Sequence, residues 1–323
     1  MQRREFTLAA LAALAAQGLA ATPAAAQSLG NLKMMVPANP GGGWDQTGRA
    51  LAAALQAAGM ISGAQFENKG GAGGTLGLSQ FINSAKGDGS ALMMGGMVMV
   101  GGIMLSKSNV DLSMVTPIAR LTTESVVIVV PASSPHKTFG DLMKAFKDKP
   151  GGVSWGGGSA GGTDHILVGL AGKAIGADTT KINYVPFKGG GEAIAAIIGG
   201  HVTAGVSGLG EFAEQIKGKR MRALAISSDE PIDGIPTMKS QGVDVVMGNW
   251  RGCFGGPGIS AAQRDNLVKA VKAATETPSW KQTLDKYGWT PWFLGGDEYS
   301  AFVNEDIKRI GGILDSLGLI KKT

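Results

Sequence analysis

The sequence predicts an α/β protein of two lobes, each a parallel-rich sheet flanked by helices, joined by a two-segment hinge. Three observations carry this expectation. An apolar strand, a glycine-rich turn and an alanine-rich helix follow one another several times along the chain. The 52 glycines concentrate where those strands should end and those helices begin. Two stretches, Glu124–Ala132 on the way out and Val243–Gly258 on the way back, read as crossings between lobes. Alternating strands and helices argue for parallel sheets, because a parallel pair needs a long crossover and a helix is the usual one.

The elements follow in order. Leu32–Val36 is an apolar strand, Pro37–Gly43 its turn and Trp44–Ala58 the helix. Gln65–Glu67 ends a second strand, and NKGGAGGTLG turns into a helix near Thr75–Asn83. Ala91–Met94 is a third strand, followed by Gly95 and Gly96. Ser125–Pro131 is a long β-branched run and Thr138–Lys147 a helix. Val153–Trp155, GGGSAGG and Thr163–Ile175 repeat the opening unit, as do Lys181–Pro186, FKGGG and Glu192–Ile198. Beyond Pro257 three amphipathic helices, Ala261–Thr275, Ser279–Lys286 and Asp297–Leu317, are expected to pack on the first lobe. These are similar units rather than a true repeat, so no solenoid is predicted. The expected division is residues 27–124 plus 250–323 for lobe 1 and 125–249 for lobe 2.

The first 26 residues stand apart. Arg3 and Arg4 precede an alanine-rich apolar run, then Pro23 and Ala24–Ala26, the order of a secretory signal with its cut near Ala26. Arg-Arg-Glu-Phe also resembles a twin-arginine signal, and both export routes stay open. Location in the periplasm is the expectation. The formal charge of +5 is spread along the chain without a dense basic tract, which argues against nucleic acid and suits a small anionic ligand. With Cys253 alone, no internal disulfide or cysteine-rich metal site can form. The three histidines show no metal-binding spacing, so neither metal nor cofactor is expected.

Two catalytic readings are weighed and set behind a third. No glycine loop ends in the Gly-Lys-Ser/Thr that a phosphate-binding P-loop requires. Gly156, Gly158 and Gly161 give GxGxxG, yet the next strand ends in Phe187-Lys188 with no ribose-binding acid. Gly157 to Gly161 match GxSxG and make Ser159 a candidate nucleophile of an exported hydrolase. Its candidate bases are His165, on the helix that follows, and His201; the final 122 residues contain no histidine. The third reading is anion binding by bare backbone. Gly41, Gly42 and Gly43 leave amides unshielded at a helix N-terminus, where the dipole favours negative charge. Ser159 to Thr163 offer the same in the other lobe with hydroxyls added, so two N-termini can hold one carboxylate without an arginine.

Those residues also carry a family resemblance from Leu32 to the C-terminus. VPANPGGGWDQTGR, ENKGGAGGTLG, TPIARL, SSPHKTFGDLMKAFKDKPGGVSWGGGSAGGTDH, VPFKGGGEAIAAIIGGHV, GKRMRALAISS and NWRGCFGGPGIS resemble, in order, the motifs of Bug-type periplasmic receptors of tripartite tricarboxylate transporters. The resemblance implies a two-lobed, type II-like periplasmic binding protein that closes on a carboxylate, acts with transporter membrane subunits, is not an enzyme and works as a monomer. It places Asn39, Gly41, Gly42, Gly43 and Asp45 on one side of the ligand, and Ser159, Gly161, Gly162 and Thr163 on the other. The far end of the ligand is expected at Gly95, Gly96, Met97, Ser207 and Gly208. Asn39 and Gly70 depart from the family pattern, in which alanine and proline are common there. Ser207-Gly208 stand where many relatives carry Phe-Asp, which favours di- or tricarboxylates over amino acids.

Single residues carry bland readings beside sharper ones. Asp45 is either a first-turn acid favoured by the helix dipole or part of the site. His165 reads as a packed, hydrogen-bonded residue, Trp250 as hinge packing and Cys253 as a buried small residue. Lys188 and Arg251 are candidate contacts for an anionic ligand. The Met-rich segment 93–104 reads as core, with its Gly-Gly pairs bordering the pocket. An orphan sensor that hands its closed form to a signalling partner shares every one of these features.

Overall fold

The computed structural model describes residues 27–188 and 190–320; the signal read at 1–26 lies outside the described residues. The chain runs β1 (Asn31–Val36), α1 (Gly43–Ala57), β2 (Gly63–Asn68), α2 (Thr75–Ser84), β3 (Ala91–Gly96), α3 (Met97–Ser106) and β4 (Thr116–Pro131). It continues through α4 (Phe139–Asp148), β5 (Ser154–Gly157), α5 (Thr163–Ala174), β6 (Asn183–Pro186), α6 (Gly190–Ile198), β7 (Ala204–Gly208), α7 (Leu209–Lys217) and β8 (Met221–Ile226). It returns by β9 (Gly248–Gly255) and ends with α8 (Ala261–Thr275), α9 (Pro278–Tyr287), β10 (Thr290–Gly295) and α10 (Gly296–Ser316).

Both lobes are built on one strand order. In the first, β2, β1 and β3 run parallel, β9 inserts antiparallel, and β4 then β10 complete the sheet. In the second, β6, β5 and β7 run parallel, β4 inserts antiparallel, and β8 completes it. The 16 residues of β4 therefore serve both sheets. Pairing with β9 ends at Ser125↔Gly248, and pairing with β7 begins at Val126↔Gly208.

The second half of β4 shows why its sequence is an unbroken apolar run. Val126, Ile128 and Val130 face the larger core, Val127 and Val129 the smaller one, and all five are fully buried. Side chains alternate across a strand, and here both faces are covered, so no polar position is available. Met93, Met94, Met97 and Met99 are likewise fully buried, resolving the Met-rich segment into the end of β3 and the start of α3.

The C-terminal helices depart from expectation, because they touch both lobes. A Cβ added at Gly169 in α5 would lie 2.4 Å from Leu317 Cδ1, and one at Gly210 in α7 would lie 2.8 Å from the Tyr287 carbonyl. On the return strand Trp250 is buried hinge packing: its Nε1 donates to Asp306 at 2.7 Å. Cys253 is fully buried.

Candidate functional site

A cavity of about 530 Å³ lies between the lobes, at the carboxyl ends of the strands. Helix N-termini form much of its wall: Gly42 and Gly43 begin α1, Gly73 and Gly74 precede α2, Gly162 and Thr163 begin α5, Gly190 begins α6 and Gly208 precedes α7. The N-caps of α1, α2, α5 and α7 are all glycine, and none makes a side-chain capping bond. The side-chain-capped helices α4, α8 and α9, held by Thr138, Ser260 and Thr277, do not open on the cavity. First-turn amides have no intrahelical partner, so the amides at the cavity remain available to an anion.

The loops before α1 and α5 have the same backbone. Gly41 and Gly161 both take positive φ, +86° and +75°, and need glycine for that reason. The caps Gly42 and Gly162 follow with φ near −78° and −77°. Gly42 and Gly162 donate to the carbonyls of Asn39 and Ser159, three residues back. Each loop is then closed from the first helical turn. Gly41 donates to Asp45 Oδ2 at 3.0 Å, and Gly161 to His165 Nδ1 at 3.1 Å. Asp45 also accepts from Arg49 at 2.9 Å and Asn68 at 3.0 Å, which together pull its carboxyl below the usual range against the opposing effect of burial. His165 stacks on Tyr184 at 4.2 Å, and burial pushes its imidazole down to about 4.

A charged centre closes the cavity floor. Arg251 on β9 pairs with Glu124 on β4, with side chains only 2% and 1% exposed. The Arg251 guanidinium reaches Thr47 Oγ1 at 3.3 Å, lies 4.9 Å from the Trp289 ring and stands 3.8 Å from Glu211 Oε1. Glu124 accepts from the Gly210 amide at 3.1 Å. Two glycines exist to make room for this pair: a Cβ at Gly43 would lie 2.3 Å from Arg251 Nη2, and one at Gly208 would lie 2.2 Å from the Glu124 carboxyl carbon. Beside them, Asp164 Oδ2 accepts from the Gly158 amide at 2.8 Å. Burial, with Glu211 and Glu124 adding to it, pushes the Asp164 carboxyl up to about 7. Glu211 is also pushed up, by burial first and then by Glu124.

The structure sorts the residues singled out in the sequence. Gly42, Gly43, Ser159, Gly162, Thr163, Ser207 and Gly208 line the cavity. Asn39, Gly41, Asp45 and Gly161 stand behind it and shape the two loops. Gly95, Gly96 and Met97 are brought elsewhere: they are buried in the strand-to-helix junction, where a Cβ at Gly95 would meet the Phe254 ring at 2.7 Å and one at Gly96 the Trp250 carbonyl at 2.4 Å. Of the Met-rich segment, Val98 and Gly102 reach the wall, and the Gly95-Gly96 pair does not. Lys188 and Arg251 do line the cavity. Sequence reading missed Trp44, the Gly71–Gly74 turn, Asp164, Asn249 and Glu211 as wall residues. Thr163 Oγ1 donates to Asn249 at 3.0 Å, joining the second loop to the return strand.

A two-lobed α/β protein with a ligand-sized cavity walled by helix N-termini is a solute-binding receptor in class. The chain belongs to the tripartite tricarboxylate transporter receptor family, whose profile matches residues 53–319. It is 30% identical to the UPF0065 protein in the gbd 5' region of Cupriavidus necator, over 99% of both chains. Among solved structures it resembles the periplasmic binding protein BugD, with a TM-score of 0.79 and 22% identity over 91% of this chain and 99% of that one. It also resembles MatC of Rhodopseudomonas palustris, solved with bound malate, with a TM-score of 0.76 and 21% identity over 88% and 99%. The type II-like fold is shared by these proteins.

Proposed function

We propose that this chain is an exported periplasmic receptor that captures a small carboxylate between the α1 and α5 N-termini and delivers it to the membrane subunits of a tripartite tricarboxylate-type transporter. One observation carries the reading: two glycine loops with matching backbone angles, one from each lobe, present uncapped helix amides to a single cavity. Only a closed cleft offers both at once, so a carboxylate binds the closed form more tightly and shifts the population toward it. The division at 124/125 and 249/250 fits the strand pairing: β4 exchanges β9 for β7 between Ser125 and Val126, and β9 begins at Gly248. Malate in MatC, a relative of the same fold, agrees with a carboxylate ligand.

Hydrolysis fits less well. Ser159 lines the cavity, but among the described residues its hydroxyl makes no hydrogen bond to a histidine or an acid. His165 has Nδ1 committed to the Gly161 amide. The reading is therefore of a binding protein without turnover.

The test is a thermal-shift screen of residues 27–323, refolded to remove resident ligand, against mono-, di- and tricarboxylates, amino acids and nucleotides. Ligand at 100 times its dissociation constant adds about 2.7 kcal/mol, a shift of a few degrees at this size. Gly42→Leu should abolish the shift and leave the fold intact. Gly42 has an ordinary negative φ, and the nearest atom to its added Cβ is the Asn39 carbonyl oxygen at 3.6 Å. A shift with nucleotides alone would overturn the receptor reading.

A further inference from the structure

The cavity holds more acid than a receptor for a simple anion requires. Asp164 and Glu211 both stand in its wall. Arg251 beside them is paired with Glu124 and stands 3.8 Å from Glu211 Oε1, so one guanidinium is shared by two carboxylates before a ligand arrives. Among the described residues no lysine or arginine forms an ion pair with Asp164, whose carboxylate has the Gly158 amide as its donor. The remaining cation of the wall is the exposed Lys188.

First-turn acids are ordinarily helix-dipole partners, and Asp45 in α1 is one: it lies off the cavity, bonded to Arg49 and Asn68. Asp164 and Glu211 occupy similar first-turn positions in α5 and α7 but face the cavity. The Glu211 carboxylate reaches across it. A Cβ at Gly43 in lobe 1 would lie 3.0 Å from Oε1, and one at Gly190 in lobe 2 would lie 2.9 Å from Oε2.

We propose that the ligand carries a cationic group besides its carboxylate, an ammonium seated between Asp164 and Glu211 while the carboxylate meets the glycine-capped amides of α1 and α5. This deepens the carboxylate-receptor reading and rests on it. It redirects the di- or tricarboxylate expectation, because a second free carboxylate would lie against two acids, whereas an ammonium supplies the cation that Asp164 lacks and that Glu211 shares with Glu124 through Arg251. Trp44, Leu105 and Phe187 in the same wall give the ligand's body an apolar surface, so amino acids with an apolar side chain fit best.

Proton exchange offers an independent signature. The groups facing Asp164 are Glu211 on α7, Glu124 on β4, Arg251 on β9 and Tyr184 on β6, with Lys188 following β6 and the neutral His165 beside it on α5. With its carboxyl raised to about 7, Asp164 is partly protonated at neutral pH. An ammonium expels that proton, and a dianion draws more in.

The experiment is isothermal titration at pH 7 in phosphate and in Tris, with three pairs that differ in the ammonium alone: leucine and 4-methylpentanoate, phenylalanine and 3-phenylpropionate, glutamate and glutarate. The expected result is that the ammonium member of at least one pair binds about tenfold or more tightly, as a charge-assisted bond allows, and releases protons. Asp164→Asn, which keeps an acceptor for Gly158, and Glu211→Gln should each collapse that ratio toward one. Equal or better binding of the desamino members with proton uptake would overturn the inference and leave the carboxylate receptor standing. So would a Glu211→Gln variant that strengthens them, since Glu211 would then be a competitor for the anion site. Silence from every carboxylate would overturn both.

Discussion

The amide of Gly161 donates to Nδ1 of His165 across 3.1 Å, in the place where the other lobe has Gly41 donating to Asp45. The bond requires a neutral imidazole, since a protonated ring has no acceptor nitrogen. The folded imidazole titrates near 4 against an ordinary 6.5. Its contribution is complete above pH 6.5 and is lost as pH falls from 6.5 toward 4, amounting to about 3 kcal/mol. Asp164 works in the opposite sense: its carboxyl is raised from 3.8 to about 7, so stability is lost as pH rises between those values. Replacing His165 with glutamine keeps an acceptor and removes the proton. Urea midpoints of that variant should hold or rise from pH 7 to pH 5, where wild type carries the histidine loss. Parallel curves for the two proteins would refute the account.

Arg251 and Glu124 should be separable by a double substitution. Arg251→Met strands a carboxylate with 1% exposure and should cost about 3–5 kcal/mol in guanidinium unfolding. Adding Glu124→Gln removes the stranded charge and should restore part of that loss. If the double variant is no better than the single one, the pair is not the source of the loss.

Lobe closure can be blocked without touching the cavity wall. A Cβ at Gly101 in α3 would stand 1.9 Å from the Gly161 carbonyl oxygen of the other lobe. In the free protein, alanine inside a helix is favoured over glycine by roughly 0.5–1 kcal/mol. Gly101→Ala should therefore keep or raise the melting temperature without ligand while reducing the ligand-induced shift. X-ray scattering should show wild type compacting on binding and the variant failing to do so. Unaltered compaction would mean that the contact does not limit closure.

How much of this was legible follows from what each residue depends on. The loops before α1 and α5 could be read because a glycine at positive φ and a helix start are both local signals. The strand preceding Ser125 was missed because Thr116–Glu124 includes Pro117 and Arg120, which do not look like a buried strand. Arg120 is buried there by lying 3.5 Å over Trp292 and 4.3 Å over Phe302. The acids of the site escaped for a different reason. An acid was sought at 207–208, but Glu124 delivers its carboxylate to the space a Gly208 side chain would fill, from a strand far earlier in the chain. Nothing local in the sequence announces that meeting. Gly95 and Gly96 misled because glycine serves close packing as readily as ligand access.

Two departures from the family pattern explain one another. A Cβ at Gly70 would lie 2.6 Å from Asn39 Oδ1, so the asparagine leaves no room for a side chain at 70. Gly70→Ala should destabilise the wild type, and should cost at least about 0.5 kcal/mol less in an Asn39→Ala background. A cycle that closes to zero would make the pairing coincidental.

The placement of β9 between β3 and β4 also dictates an order of assembly. As the chain emerges, the N-terminal sheet has β1, β2 and β3 early, but its middle strand is drawn from Gly248–Gly255. The strands of the second sheet, from β4 to β8, are by then all in hand. The segment in the middle of the sequence can condense while the segment made first waits, its apolar β3 edge uncovered, for the chain to come back. A nascent receptor is thus at its most vulnerable to aggregation just before residue 255, and a chaperone guarding it would find its purchase on the oldest part of the chain.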